Sequence, residues 1–275
     1  MVFILSENRS GSTWLSYVLG THEETAHLGE YFRPFLIKGH VVCRLCEARG
    51  LPQCEVFHGI EDVEFSQAFE FAFERTGAHT LIDASKSLEW LDRFRNSDSF
   101  AVKAIHLIRD PRGWIASERR RTPGMSNQAL FERWLNHFYI TSKHLTDAGI
   151  PFVYANYDLL CLDPERELGK LSKFLNVQHD QSSLEYWRKE HHGLGGNGAA
   201  LNNLIRTGDQ TRVTTGDDEY YYRRVGQLFY DNRWKEEPDA DQLAKFAENA
   251  EAEQILGKCE ASFRRIDELS GNLVA

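Results

Sequence analysis

No run in this chain approaches the length of a membrane span, and neither an internal repeat nor a heptad seam appears along its 275 residues. The amino end enters an apolar, strand-like run at residue 2, with no charged n-region or cleavage site before it, so a soluble, cytoplasmic protein is expected. Positive charge is short. Thirty-two Lys and Arg face 41 Asp and Glu, a formal net charge of −9, which argues against a general nucleic-acid binder. The five cysteines are an odd number and do not make a disulfide framework. What is present is 41% hydrophobic and 12% aromatic residues, enough for one large core but not for two independent domains of ordinary size. A single α/β domain over 1–275 is the expectation.

One lysine is also missing, and its absence is informative. Phe3-Ile4-Leu5-Ser6-Glu7-Asn8-Arg9-Ser10-Gly11-Ser12-Thr13-Trp14-Leu15 reads as a buried strand, a tight polar turn and a helix start. Turn and first-turn N–H groups converge there on one spot that suits a phosphate. Aligned on the nucleotide-triphosphate loop G-x-x-x-x-G-K-[ST], Gly11 takes the second glycine, Ser12 falls where lysine should be, and Thr13 takes the hydroxyl position. Without that lysine a triphosphate and its Mg²⁺ would be held badly through transfer of the end phosphate. A second apolar run, Ala104 to Ile108, leads directly into Arg109-Asp110-Pro111-Arg112-Gly113-Trp114-Ile115-Ala116-Ser117. Pro111 suits a first helical turn and Asp110 its N-cap, so Arg109 and Ser117 can converge on one ligand from a strand tip and a helix.

Together these two segments resemble the sulfotransferase family, which moves a sulfuryl group from 3'-phosphoadenosine 5'-phosphosulfate (PAPS) to an alcohol, phenol or amine. Arg9-Ser10-Gly11-Ser12-Thr13-Trp14 is similar to the family's 5'-phosphosulfate loop, and Arg109 with Ser117 resembles its 3'-phosphate pair. Leu81-Ile82-Asp83-Ala84-Ser85-Lys86 is similar to the D-x-S-K stretch of bacterial and Golgi-type members. The resemblance implies a P-loop-type parallel β-sheet with helices on both faces. It implies PAPS as co-substrate, adenosine 3',5'-bisphosphate (PAP) as product and no Mg²⁺ requirement. Arg9 would stabilise the leaving phosphate, with Lys86 and Ser85 assisting, and Trp14 would stack on adenine.

Cytosolic members use a histidine as base within the segment matching Asp83 to Ser87, and none stands there. Glu30, in Leu28-Gly29-Glu30-Tyr31-Phe32, resembles the glutamate base of the trehalose sulfotransferase type. For that role a partly buried setting beside Tyr31 and Phe32 is expected to lift its pKa toward neutrality. Each of these residues also has a structural alternative: Trp14 as core, Glu30 as surface, and Ser85 as N-cap of a helix starting at Lys86. Arg112 joins the candidate anion binders, and Arg119-Arg120-Arg121 reads chiefly as a solvated helix end.

Strands are expected near 2–6, 80–83, 102–108 and 151–155, with helices near 13–20, 64–76, 87–95, 113–121 and 127–148. Beyond Pro151 the chain is expected to be largely helical, clearest over Pro164 to Leu175 and Asp239 to Leu269. Between these lies His192-Gly193-Leu194-Gly195-Gly196-Asn197-Gly198, a loop of lid-like composition, similar to the H-x-x-x-G-N stretch of bacterial members. Arg206 is its candidate cation. In a Cys-rich insertion around 38–60, Cys43, Cys46, Cys54 and His58 have the types and spacing of a structural Zn²⁺ site, with His40 as an alternative fourth ligand and free thiols as the competing reading.

The acceptor is open: a small molecule, sugar, lipid or peptide, with Tyr31 to Phe35 and Tyr220 to Tyr222 as candidate walls. So is the oligomeric state. Two other functions remain, a P-loop nucleotide kinase and a non-catalytic PAPS- or nucleotide-binding protein.

Overall fold

The computed structural model describes residues 1–36, 42–178, 181–204, 220 and 223–272. Five short strands make one sheet, β1 (Val2–Leu5), β2 (Thr25–Gly29), β3 (Thr80–Asp83), β4 (Lys103–Ile108) and β5 (Phe152–Asn156), in the order β2-β3-β1-β4-β5. It is all parallel and flanked by helices, as the family resemblance implied. All four residues of β1 are buried, which is why it reads as a continuous apolar run rather than an alternating one. Of the five strands, β2 is the one absent from the sequence expectation.

The chain divides into two compact units, each assembled from three stretches: Met1–Ile4, Thr13–Lys103 and Val177–Leu228 in the first, Leu5–Ser12, Ala104–Asn176 and Phe229–Ala275 in the second. In the first unit, α1 (Ser12–Leu19) supplies its helix start from Thr13 onward, and α4 (Ala68–Thr76) and α5 (Leu88–Phe94) surround an aromatic core. Phe69 lies 4.6 Å from Phe94 and 5.5 Å from both Tyr31 and Trp90, ring centre to ring centre. The Tyr31 hydroxyl donates to the Ala68 carbonyl at 2.7 Å. Tyr31 is therefore a core residue and not an acceptor wall, and it anchors the backbone directly after Glu30. Tyr221 and Tyr222 lie outside the described residues.

The second unit is built on α6 (Pro111–Arg119) and the 21-residue α7 (Asn127–Asp147). As expected, Asp110 caps α6, its carboxylate accepting from the Arg112 N–H at 2.8 Å, with Pro111 in the first turn. Arg112 departs from expectation. Its guanidinium is buried between Asp110 and Asp267 and lies 4.5 Å over the Trp234 ring, so it ties the fold together instead of meeting an anion. Arg119 and Arg120 are likewise paired, with Asp239 and Glu237. The expected helix over 239–269 is broken into separate pieces, Ala240–Ala244, Ala250–Lys258 and Phe263–Gly271. Asn249 and Ser262 cap the last two, and each such cap restarts a helix where the preceding one stops.

Candidate active site

In the second unit the loop after β1 curls through two left-handed residues, Arg9 at φ 66° and Gly11 at φ 89°. Left-handed backbone at a non-glycine residue costs on the order of 1–2 kcal/mol and tends to persist where function requires it. Here it presents Arg9 toward α6, where its Nε donates to the Ser117 hydroxyl at 2.6 Å. Arg109, from the tip of β4, donates through Nη1 to the Arg9 carbonyl at 2.9 Å. Arg109 and Ser117 are buried, as are Ser6, Ser10 and Ser12 of the loop. Arg9 is thus brought into one hydrogen-bonded group with Arg109 and Ser117, which lie 100 and 108 residues further along the chain.

Two neighbours of that group had no sequence signal. Asp231 sits 3.7 Å from Arg109 and is held mainly by Arg233 at 2.8 Å. Burial pushes the Asp231 carboxyl up, but Arg233 and Arg109 outweigh it and hold it well below the carboxylate range. Tyr157, opening α8 (Tyr157–Leu162), lies under the Arg109 guanidinium at 5.0 Å. A Cβ on Gly11 would fall 2.2 Å from the Tyr157 ring, so a glycine is required at that point of the loop.

In the first unit a separate charged group forms around Glu30, which follows β2. Lys86 Nζ donates to Glu30 Oε1 and to the Ala84 carbonyl, both at 2.8 Å, and Arg33 Nε donates to Glu30 Oε2 at 2.6 Å. Like Arg9, Lys86 is left-handed, at φ 61°. Burial pushes the Glu30 carboxyl up, but the Lys86 ammonium and the Arg33 guanidinium more than cancel this and leave it below its ordinary value. The expected lift toward neutrality is therefore absent, because the aromatic surroundings come with two cations. Ser85 does not cap the following helix; Ser87 does, accepting from the Trp90 N–H. The Ser85 hydroxyl donates instead to Asp83 at 2.8 Å and accepts from the Phe32 N–H at 3.3 Å. Thr13 and the half-buried Trp14 open α1, and the Thr13 hydroxyl accepts from the Asn197 N–H at 3.1 Å.

The same unit gathers Cys43, Cys46 and Cys54 with a histidine, but that histidine is His192. His58 turns away and pairs through Nδ1 with the Gln53 amide. His40 and Arg206 lie outside the described residues. The described part of the glycine loop, from His192 to Leu204, is built into the unit: Leu194 bridges to both Gly29 and Cys43, and α10 (Gly198–Leu204) follows. A free thiol cluster and a metal site differ in what the side chains present. Here one imidazole nitrogen and three sulfurs all lie within 4.8 Å of one another, a donor set suited to tetrahedral Zn²⁺.

No family model matches the chain, and no curated protein matches it in sequence. Among solved structures it is similar to the sulfotransferase domain from the curacin biosynthetic pathway, at TM-score 0.59 and 17% identity over 95% of this chain and 98% of that one. It is also similar to the sulfotransferase domain of the Synechococcus PCC 7002 olefin synthase, at TM-score 0.51 and 20% identity, over 90% of this chain and 94% of the other. At these identities the likeness is one of fold, and it extends over nearly the whole chain.

Proposed function

We propose that this chain, which has the sulfotransferase fold, transfers the sulfuryl group of PAPS to a hydroxyl or amine acceptor. The observation that carries the proposal is the hydrogen-bonded group of Arg9, Arg109 and Ser117. It joins in one place the residues that, by resemblance, contact the donor's 5'- and 3'-phosphates. A kinase is disfavoured because Ser12 occupies the lysine position of the triphosphate loop.

In this reading the acceptor oxygen attacks sulfur as the bond from sulfur to the 5'-phosphate oxygen breaks. PAP leaves with that electron pair, and the acceptor proton goes to Glu30. Arg9 and the loop N–H groups neutralise the leaving phosphate, which is where fixed positive charge lowers the barrier most. The Glu30–Lys86 pair then has a specific meaning. An ammonium has three donors, two of which Lys86 uses on Glu30 and Ala84. Drawn to the incoming sulfonate, Lys86 would loosen its hold, and burial, the largest single influence on Glu30, would then push that carboxyl upward against Arg33 alone.

The test is incubation with PAPS and an acceptor panel without added metal. Sulfated product supports the transferase; phosphate transfer that needs metal indicates a kinase, and nucleotide uptake alone a binding protein. Glu30→Gln is expected to abolish turnover while PAP affinity stays within a few-fold, and an unaffected rate would remove Glu30 from the role. Arg109→Ala should weaken PAP binding by tenfold or more, the scale of a lost charge-assisted contact.

A further inference from the structure

The four ligand atoms of the Cys43, Cys46, Cys54 and His192 group are spaced as a metal would space them. Zn–S bonds of about 2.3 Å and a Zn–N bond of about 2.0 Å at the tetrahedral angle set each S···N edge at about 3.5 Å. From His192 Nδ1 to the three sulfurs the distances are 3.6, 3.5 and 3.3 Å. Hydrogen bonding alone gives no reason for one imidazole nitrogen to sit equally close to three thiols.

The surroundings agree independently. A metal-bound histidine commonly hands its other ring N–H to a carboxylate, which fixes its tautomer. His192 Nε2 lies 3.3 Å from Glu190 and 3.5 Å from Glu55. Around the sulfurs, the Val56 and Phe57 N–H groups point at Cys54 and the Cys46 N–H at Cys43. Cys43 and Cys46 are buried, so the group is enclosed rather than a scatter of surface thiols.

What the group holds in place is the segment after His192. The Gly193 carbonyl accepts from the Arg44 N–H at 3.1 Å, and Leu194 donates to the Leu28 carbonyl at 2.9 Å. In return the Leu194 carbonyl accepts from the Glu30 N–H at 2.5 Å. The contact is close because Gly29 has no side chain: a Cβ there would fall 2.3 Å from the Leu194 oxygen. Only Gly193 therefore separates His192 from the residue whose backbone fixes Glu30.

We propose that Cys43, Cys46, Cys54 and His192 Nδ1 bind one zinc ion in a closed tetrahedral shell, and that this ion clamps the 193–195 segment along β2 and so positions Glu30. Binding exchanges the remaining thiol protons for the metal, which releases them to solvent. With four protein ligands no position is left for a reacting group, so the ion takes no part in transfer. The clamp's link to catalysis rests on the function proposed above, whereas the metal site does not.

Full-length protein prepared with zinc should contain one equivalent by elemental analysis. His192→Ala should lose it and His58→Ala keep it. Loss of a ligand can also prevent folding, so the unaltered chain is exchanged with cobalt(II), whose visible spectrum should show tetrahedral thiolate coordination. Stripping the metal with a chelator should accelerate hydrogen exchange at the Leu194 and Glu30 amides while β3 amides stay protected. A chain that takes up no zinc or cobalt overturns the site, zinc retained by His192→Ala overturns its fourth ligand, and unchanged exchange at Glu30 overturns the clamp. None of these measurements needs donor or acceptor. A zinc-bound chain that sulfates nothing therefore counts against the transferase alone, and a zinc-free chain that sulfates counts against the metal alone.

Discussion

At the scale of single residues, the candidate chemistry lies in ion pairs whose balance can be shifted one charge at a time. Glu30 is pulled in opposite directions, up by burial and down by Lys86 and Arg33, and the cations win by a margin that Lys86 contributes to most. Lys86→Met keeps the length of the side chain and removes the charge. The Glu30 carboxyl should then rise, and the acid limb of a pH profile of kcat/KM should move to higher pH. The sign follows directly: in the unaltered chain the cations hold the Glu30 carboxyl below its ordinary value, and without Lys86 protonation sets in at higher pH. The rate of this variant will be lower as well, so the position of the limb is the informative measurement. An unmoved limb would mean that Lys86 does not control the group that titrates.

At the scale of elements, strand, loop and helix start act together, and Gly11 is the point where their geometry is least forgiving. Gly11→Ala would both force an alanine into φ near 89° and drive its methyl into the Tyr157 ring. PAP affinity should fall at least tenfold and stability by about 1–3 kcal/mol. Adding Tyr157→Ala should recover part of the loss by removing the collision but not the backbone strain. Wild-type binding by the single variant would show that the loop does not need its curl. This element was legible in the sequence because everything it requires is local: an apolar run, a polar turn with glycine, and a helix start within thirteen residues. The same holds for α6, whose cap and proline are adjacent. By contrast β2 was not legible, since Thr25–Gly29 is short, contains a histidine and a glycine, and is recognised as a strand only through its pairing with β3. His192 was missed for a related reason. It lies 138 residues from Cys54, and no spacing rule reaches that far. His58 follows Cys54 closely in sequence, and proximity along the chain was the wrong guide.

For the whole molecule, the buried titratable groups set how stability should depend on pH, and they oppose one another. Burial, followed by mutual repulsion with neighbouring imidazoles, holds His106 down at about 3 and His27 well below its ordinary value. His191 is held at about 3 by burial foremost. Each binds a proton less readily in the folded chain than once unfolded, so each contributes stability that grows as pH rises. Buried carboxyls, Glu167 among them, work the other way. Asp83 is pushed up to about 6 and Asp158 to about 7, chiefly by burial, so the folded chain holds protons there that the unfolded chain has released. Where the imidazoles outweigh the carboxyls, stability rises with pH, and each group that is protonated in one state and not the other is worth about 1.4 kcal/mol per pH unit. His137, also lowered by burial, adds to the same side. Urea unfolding at intervals from pH 5 to 6 should show this rise. His106 offers the cleanest test because its ring already stacks on Phe138, with centres 5.3 Å apart, so His106→Phe preserves shape while removing the titration. In that variant the slope should drop by about one proton's worth. A wild-type slope retained by His106→Phe would show that the buried ring is not a neutral imidazole in the folded chain, and the sign of the pH dependence would then have to come from groups other than these.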